Sequence, residues 1–108
     1  MYLPLPTTIR WFLFSRKRCD DAAQNLGSKR LTSGKERKAI RERLQEFAAR
    51  DPTSVRAGFA TALENGIASH HAGCLPGWKA LVEGLFQDGL LKVRFLNLKL
   101  RGRNPNIP

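Results

Sequence analysis

The side chains with the most reactive chemistry are His70 and His71, side by side, with Cys74 three positions later and Cys19 far upstream. Imidazole and thiolate together form a zinc ligand set. Adjacent residues on a strand face opposite ways, however, so His70 and His71 are badly placed to share one ion, and their spacing from the cysteines matches no common zinc pattern. A thiol beside an imidazole is also the apparatus of a cysteine nucleophile. Cys74 follows His71 closely, but no spare Asp or Asn is placed to orient the ring, and a chain of 108 residues leaves little room for a substrate cleft. Buried thiols beside a turn are the expected outcome, with no metal site and no catalytic residue. Nor is there a phosphate loop. Gly-x-x-x-x-Gly-Lys-[Ser/Thr] occurs nowhere, and Ser33-Gly34-Lys35 lacks both the earlier glycine and a preceding strand.

Cations are the other conspicuous chemistry. Lys and Arg number 19 against 9 Asp and Glu, a formal net charge of +10. Such a surplus favours a polyanionic partner, nucleic acid first and an anionic membrane surface second. No apolar run approaches the roughly eighteen residues that span a bilayer. Met1-Tyr2-Leu3-Pro4-Leu5-Pro6 carries no basic region leading into an apolar one, so a signal peptide is not expected. Two cysteines without a secretory signal point to free thiols and a cytoplasmic location. Lys29 to Arg43 holds seven basic and two acidic residues, a face that is ordinarily just solvated. Arg16-Lys17-Arg18 is more suggestive, because it follows directly on a strand candidate.

The elements that must position these residues are legible from apolar spacing. The length suits one domain, and 42% hydrophobic residues suffice for a small core. Residues 1–8 form an extended lead-in. Ile9-Arg10-Trp11-Phe12-Leu13-Phe14-Ser15 is almost continuously apolar, the pattern of a strand buried on both faces in a parallel sheet. Ser15 can cap a helix whose stripe is Cys19, Ala22, Ala23 and Leu26, with Gly27 in the left-handed position at its end. Ser33-Gly34-Lys35-Glu36 has the form of a capping box, opening a helix with Ile40, Leu44, Phe47 and Ala48 on one face. Asp51-Pro52 restarts a helix carrying Val55, Phe59 and Leu63, ended by Asn65-Gly66. Ile67 to His71 reads as a strand. Pro76 opens a helix with Trp78, Leu81, Val82, Leu85 and Phe86 on its apolar face, closed by Gly89. Leu90 to Leu96 is the third strand. The order β-α-α-α-β-α-β implies an α/β fold, a three-stranded parallel sheet with right-handed crossovers and flanking helices.

Open parallel sheets hold ligands beyond the carboxyl ends of their strands. Ser15, Arg16 and Lys17 stand at one such end, and His70, His71 and Gly73 at another. Hydroxyl, imidazole, cation and helix N-terminal amides together suit phosphate oxygens.

The run Gly66-Ile67-Ala68-Ser69-His70-His71-Ala72-Gly73-Cys74-Leu75-Pro76-Gly77-Trp78-Lys79, continued by Val82-Glu83-Gly84-Leu85-Phe86-Gln87-Asp88-Gly89-Leu90-Leu91-Lys92-Val93-Arg94-Phe95, resembles the second RecA-like lobe of DExH-box superfamily-two RNA helicases. The nearest branch is the Ski-like, antiviral-helicase type, whose pattern is GIA-x-HHAG-x-LP-x-x-K-x-x-VE-x-LF-x-x-GL-x-KV-x-F. Phe14-Ser15-Arg16-Lys17-x-Cys19-Asp20 resembles the same family's motif IV, FSRK-x-C-[DE]. The resemblance implies that residues 9–96 are part of a helicase C-terminal domain. It implies nucleic-acid contacts by Ser15, Arg16 and Lys17 and by His70, His71 and Gly73, and single-stranded RNA or DNA as the partner. For the histidines, a purely structural role in the strand-to-helix turn is the competing expectation. The strands ending at Phe14 and at the histidine pair are expected to be neighbours on one rim.

The departures from the family are equally specific. Its motif V, ATET-x-A-x-G-x-N-M-P, is replaced by Leu96-Asn97-Leu98-Lys99-Leu100-Arg101-Gly102-Arg103-Asn104-Pro105, and only Asn106-Ile107-Pro108 resembles its close. Codons for Ala-Ala-Gly-Ile shifted by one base read Arg-Gly-Arg-Asn, so residues 97–108 are expected to be an irregular basic tail, a motif V read out of frame. The phosphate loop, the DExH box and the arginine-finger motif QxxGRxGR are all missing. The family implies ATP and Mg for the intact enzyme, and hydrolysis needs two lobes facing across the nucleotide. The chain is therefore expected to hold no cofactor itself and to be inactive alone, a helicase fragment with a first lobe supplied, if at all, in trans. The alternative is a non-catalytic remnant, such as a pseudogene product, or a small basic interaction module.

Overall fold

The computed structural model describes residues 9–13 and 15–97. Phe14, the lead-in and the tail after Asn97 lie outside the described residues, and so does the expectation of a degraded motif V. The elements run β1 (Ile9–Leu13), α1 (Arg16–Leu26), α2 (Gly34–Arg50), two 3-10 turns (Pro52–Ser54 and Ala57–Phe59), α3 (Ala60–Glu64), β2 (Ile67–His70), α4 (Pro76–Gln87) and β3 (Val93–Asn97). The sheet is three-stranded and parallel with flanking helices, the expected α/β class.

Local signals set most boundaries. Ser15 Oγ accepts from the Arg18 N–H at 3.1 Å and opens α1. The capping box of α2 is complete: the Glu36 N–H donates to Ser33 Oγ at 3.1 Å and the Ser33 N–H to Glu36 Oε1 at 2.9 Å. Gly66 and Gly89 have φ of +89° and +77°, the left-handed turns that end α3 and α4.

Four expectations need correcting. Gly27 is not left-handed: its φ is −62°. It is glycine because a Cβ there would meet the Ala23 carbonyl oxygen at 2.7 Å and Ala62 Cβ at 2.8 Å, where α1 crosses α3. Asp51 caps nothing with its side chain, and the segment after it forms 3-10 turns before the short α3. The Asp51 carboxylate instead lies against Gly77 at the start of α4. β1 is not buried: Ile9, Trp11 and Phe12 are 44%, 56% and 38% exposed, because among the described residues the helix-backed cores cover Ile67, Ala68, Val93 and Phe95 of the other two strands but only Leu13 of β1. Finally, the strand order is β1-β3-β2, so β1 and β2 are not neighbours. The last strand in the sequence enters between them. All three strands are parallel, and β1 and β2 still end on the same side of the sheet.

Each face of the sheet has its own core. Cys19, Ala23, Ala62, Ile67, Val93 and Phe95 pack between α1, α3 and the sheet. Trp78, Leu81, Val82 and Leu85 of α4 join Ile40, Phe47, Leu63, Ala68 and Leu91 on the other side, with Phe86 half-buried against them. This second core seats the helix that follows the histidine turn, and the first seats α1. Both candidate clusters are thereby anchored to one rigid sheet.

Candidate nucleic-acid interface

Period-two alternation on β2 decides where the histidines go. Ile67 and Ser69 face α1, while Ala68 and His70 face α4. His70 Nδ1 stands 4.0 Å from Glu83 Oε2 of α4 and, like Arg94 Nε, is buried with no hydrogen-bond partner among the described residues. Arg94 Nη1 donates to Glu83 Oε2, 2.6 Å away, and its guanidinium lies 4.0 Å from the centre of the Phe86 ring. Burial first, and then the Arg94 charge, pushes the His70 pKa down, so this ring is neutral near pH 7.

His71, just beyond the strand, turns the other way and is only 5% exposed. The Gly73 N–H donates to its Nδ1 at 3.0 Å, so Nε2 carries the proton and donates to Asp20 Oδ1, also at 3.0 Å. Asp20, on the second turn of α1, is the hub. Its carboxylate also accepts from Ser69 Oγ at 2.7 Å and from Arg56 Nη1 and Nη2 at 3.2 and 3.1 Å. Arg56 Nη1 reaches Cys74 Sγ at 3.3 Å, and its guanidinium stacks 4.0 Å from the Phe59 ring centre. The expectation that no carboxylate would orient a histidine beside Cys74 is thus overturned: Asp20 does so from another element.

The arrangement is still not a nucleophile with its base. Cys74 Sγ lies 3.9 and 4.0 Å from the two ring nitrogens, the outer limit for a sulfur hydrogen bond, and both nitrogens are already engaged by Gly73 and Asp20 at 3.0 Å. Burial, followed by the nearby Asp20 and Cys74, raises the Cys19 thiol to about 11, so it stays protonated. Among the described residues no group of three or more His, Cys, Asp or Glu could hold a metal ion.

Burial pushes the Asp20 carboxyl up, but hydrogen bonds from Arg56, Ser69 and His71 and the Arg56 charge outweigh it and hold its pKa below the ordinary value. A carboxylate with a lower pKa folded than unfolded stabilises fully above its unfolded value of about 3.9, and this contribution is lost as pH falls through the folded value. Urea midpoints taken from neutral pH downward are expected to drop most steeply below about pH 4. Asp20→Asn should flatten that drop, and superimposable profiles would refute the assignment.

What this network holds is a rim. The exposed turn at Gly73 comes against α1: a Cβ on Gly73 would meet the His71 ring at 3.0 Å and Arg16 Cδ at 3.3 Å. Ser15, Arg16, Lys17 and Gly73 are therefore gathered at the strand ends, with His71 beneath them and His70 on the opposite face. Arg16 makes no ion pair with a described residue, and Lys17 makes an exposed one with Asp21 at 2.8 Å. The first amides of α1 have no helical partner. Arg56 was not legible as part of this site. It lies in no motif, and only the fold carries it to Asp20. The sequence signal for Asp20 was its place at the close of the motif IV pattern.

No protein-family model matches the chain. Curated proteins do. The chain is 44% identical over 85 residues to the chloroplastic DExH-box ATP-dependent RNA helicase DExH15 of Arabidopsis thaliana, covering 79% of this chain and 7% of that protein. It is 41% identical over 96 residues to human Superkiller complex protein 2, 84% of this chain and 8% of that one. To the antiviral helicase SKI2 of Saccharomyces cerevisiae it is 36% identical over 89 residues, 78% and 7% of the two chains. The chain thus spans less than a tenth of the length of these relatives. With its three-stranded parallel sheet and flanking helices, it is homologous to one segment of the DExH-box RNA helicases of the Ski-like branch and has the form of a partial RecA-like lobe.

Proposed function

We propose that residues 9–96 are part of a helicase C-terminal domain whose strand-end rim binds the phosphate backbone of single-stranded RNA or DNA, without ATP turnover by these 108 residues alone. The observation that carries this reading is the meeting of Arg16, at the start of α1, with the Gly73 turn. Arg16, with no ion pair to a described residue, Lys17, whose ion pair is exposed, and the α1 amides ahead of Arg18 form one small cationic ledge suited to phosphate oxygens. His71 contributes by holding the turn, since both its ring nitrogens are engaged beneath the surface. His70 enters the reading only through the opposite face of β2. The relatives' names support RNA as the polymer. Neither the fold nor those names supports a first lobe supplied in trans, and the reading includes none. A cytoplasmic location belongs to the same proposal and rests on two free, buried thiols. No helix among the described residues is long and apolar enough to cross a membrane.

Fluorescence anisotropy with a labelled single-stranded RNA and its DNA counterpart tests the reading. With two or three phosphate contacts, affinity is expected to fall about tenfold from roughly 50 to 200 mM salt, with weak sequence preference. Arg16→Ala and Lys17→Ala should each lessen the salt slope by about 0.7. Affinity that is flat across salt would overturn the reading, and RNA-stimulated ATP turnover by the purified chain would overturn the inactivity. A second reading, a remnant without biochemical role, is favoured by one observation: among the described residues Ile9 and Trp11 of the apolar strand β1 are 44% and 56% exposed.

A further inference from the structure

We propose that Arg56 is a positioning residue that sets the nucleic-acid affinity of the rim without touching the polymer. The proposal rests on the rim being the binding surface. Arg56 holds Asp20 through both terminal nitrogens, at 3.2 and 3.1 Å, and its guanidinium is fixed from a third direction by the Phe59 ring. Asp20 in turn takes His71 Nε2, and His71 Nδ1 takes the Gly73 amide. Gly73 is the residue against which Arg16 lies. The route from Arg56 to Gly73 is therefore a chain of hydrogen bonds, and Arg16 Cδ lies 3.3 Å from where a Cβ on Gly73 would stand.

The chemistry requires an arginine. A planar fork can satisfy both carboxylate oxygens and leave Oδ1 aligned for Ser69 and His71, whereas an ammonium is a single point charge. Arg56 also reaches Cys74 Sγ at 3.3 Å, so the same group pins both sides of the turn that carries Gly73. Its side chain is 24% exposed, and three of its five N–H donors are engaged by Asp20 and Cys74, whereas Arg16 makes no ion pair with a described residue.

The test compares the full chain with Arg56→Lys, which keeps the charge, and with Ser69→Ala as a second, milder variant in case the first folds poorly. Two readouts are taken: RNA affinity across salt, and hydrogen exchange of the Gly73 amide by NMR. Arg56→Lys is expected to weaken binding about fivefold with an unchanged salt slope and to speed Gly73 exchange relative to core amides. Ser69→Ala should shift both readouts in the same direction by less. A salt slope lowered as in Arg16→Ala would make Arg56 a direct contact and overturn the proposal. So would wild-type affinity in Arg56→Lys, or unchanged Gly73 exchange. If the unaltered chain binds no RNA, the proposed function falls and the affinity claim with it, and Gly73 exchange alone then decides whether Arg56 positions the turn.

Discussion

Trp78→Ala is expected to cost about 3–5 kcal/mol and to leave much of the chain unfolded. Trp78 heads the fully buried side chains, at 1% exposure. It stands on α4 and meets Phe47 of α2 edge-on, with ring centres 6.2 Å apart at 65°. Leu81, Val82 and Leu85 share its cluster, so the truncation opens a cavity where α2, α4 and β2 converge. Domains of this size are stabilised by only about 5–15 kcal/mol in total, so this loss is a large share. Urea unfolding followed by far-ultraviolet circular dichroism measures the loss. Trp11→Ala is the control: that ring is 56% exposed and touches Phe95 at 6.0 Å between centres, so its loss should cost less than about 1 kcal/mol. Equal costs for the two tryptophans would mean that the core does not lie where the structure puts it.

Asp20→Ala is expected to cost about 3 kcal/mol and to abolish rim binding. The loss is large because it strands donors. Ser69, His71 and both terminal nitrogens of Arg56 would lose their acceptor together, in a site where Asp20 and Arg56 are only 26% and 24% exposed. Replacing one partner of such a pair is worse than replacing both with apolar groups, because the surviving charge is left without compensation. Asp20→Ala/Arg56→Met should therefore be destabilised by at least about 1 kcal/mol less than the two single variants summed. Strict additivity in that cycle would show that the carboxylate and guanidinium do not act as one unit.

Features within about one helical turn were legible from the sequence alone. The Ser15 cap, the Ser33–Glu36 capping box, the apolar stripe of α4 and the helix ends at Gly66 and Gly89 depend on residues three or four apart, and all are present in the fold. The Ski-like motifs were legible for a related reason, being continuous strings of residue types. Most helix and strand identities and the parallel class follow from these local patterns.

The tertiary structure alone decided what depends on distant partners. Strand order depends on which edge of β2 and β1 offers its main-chain groups to β3, and nothing within β3 encodes that choice. The exposure of β1 follows from where the helices pack, since β2, the other edge strand, is buried beneath them. His70 and His71 differ in role because alternation turns one toward Glu83 and the other toward Asp20, and the second partner is 51 positions away. Gly27 is glycine for the sake of Ala62, and Arg56 matters for the sake of Asp20, 36 positions before it. A sequence displays the chemistry of each residue, but hydrogen bonds and close contacts are made in space, and folding alone supplies those neighbours.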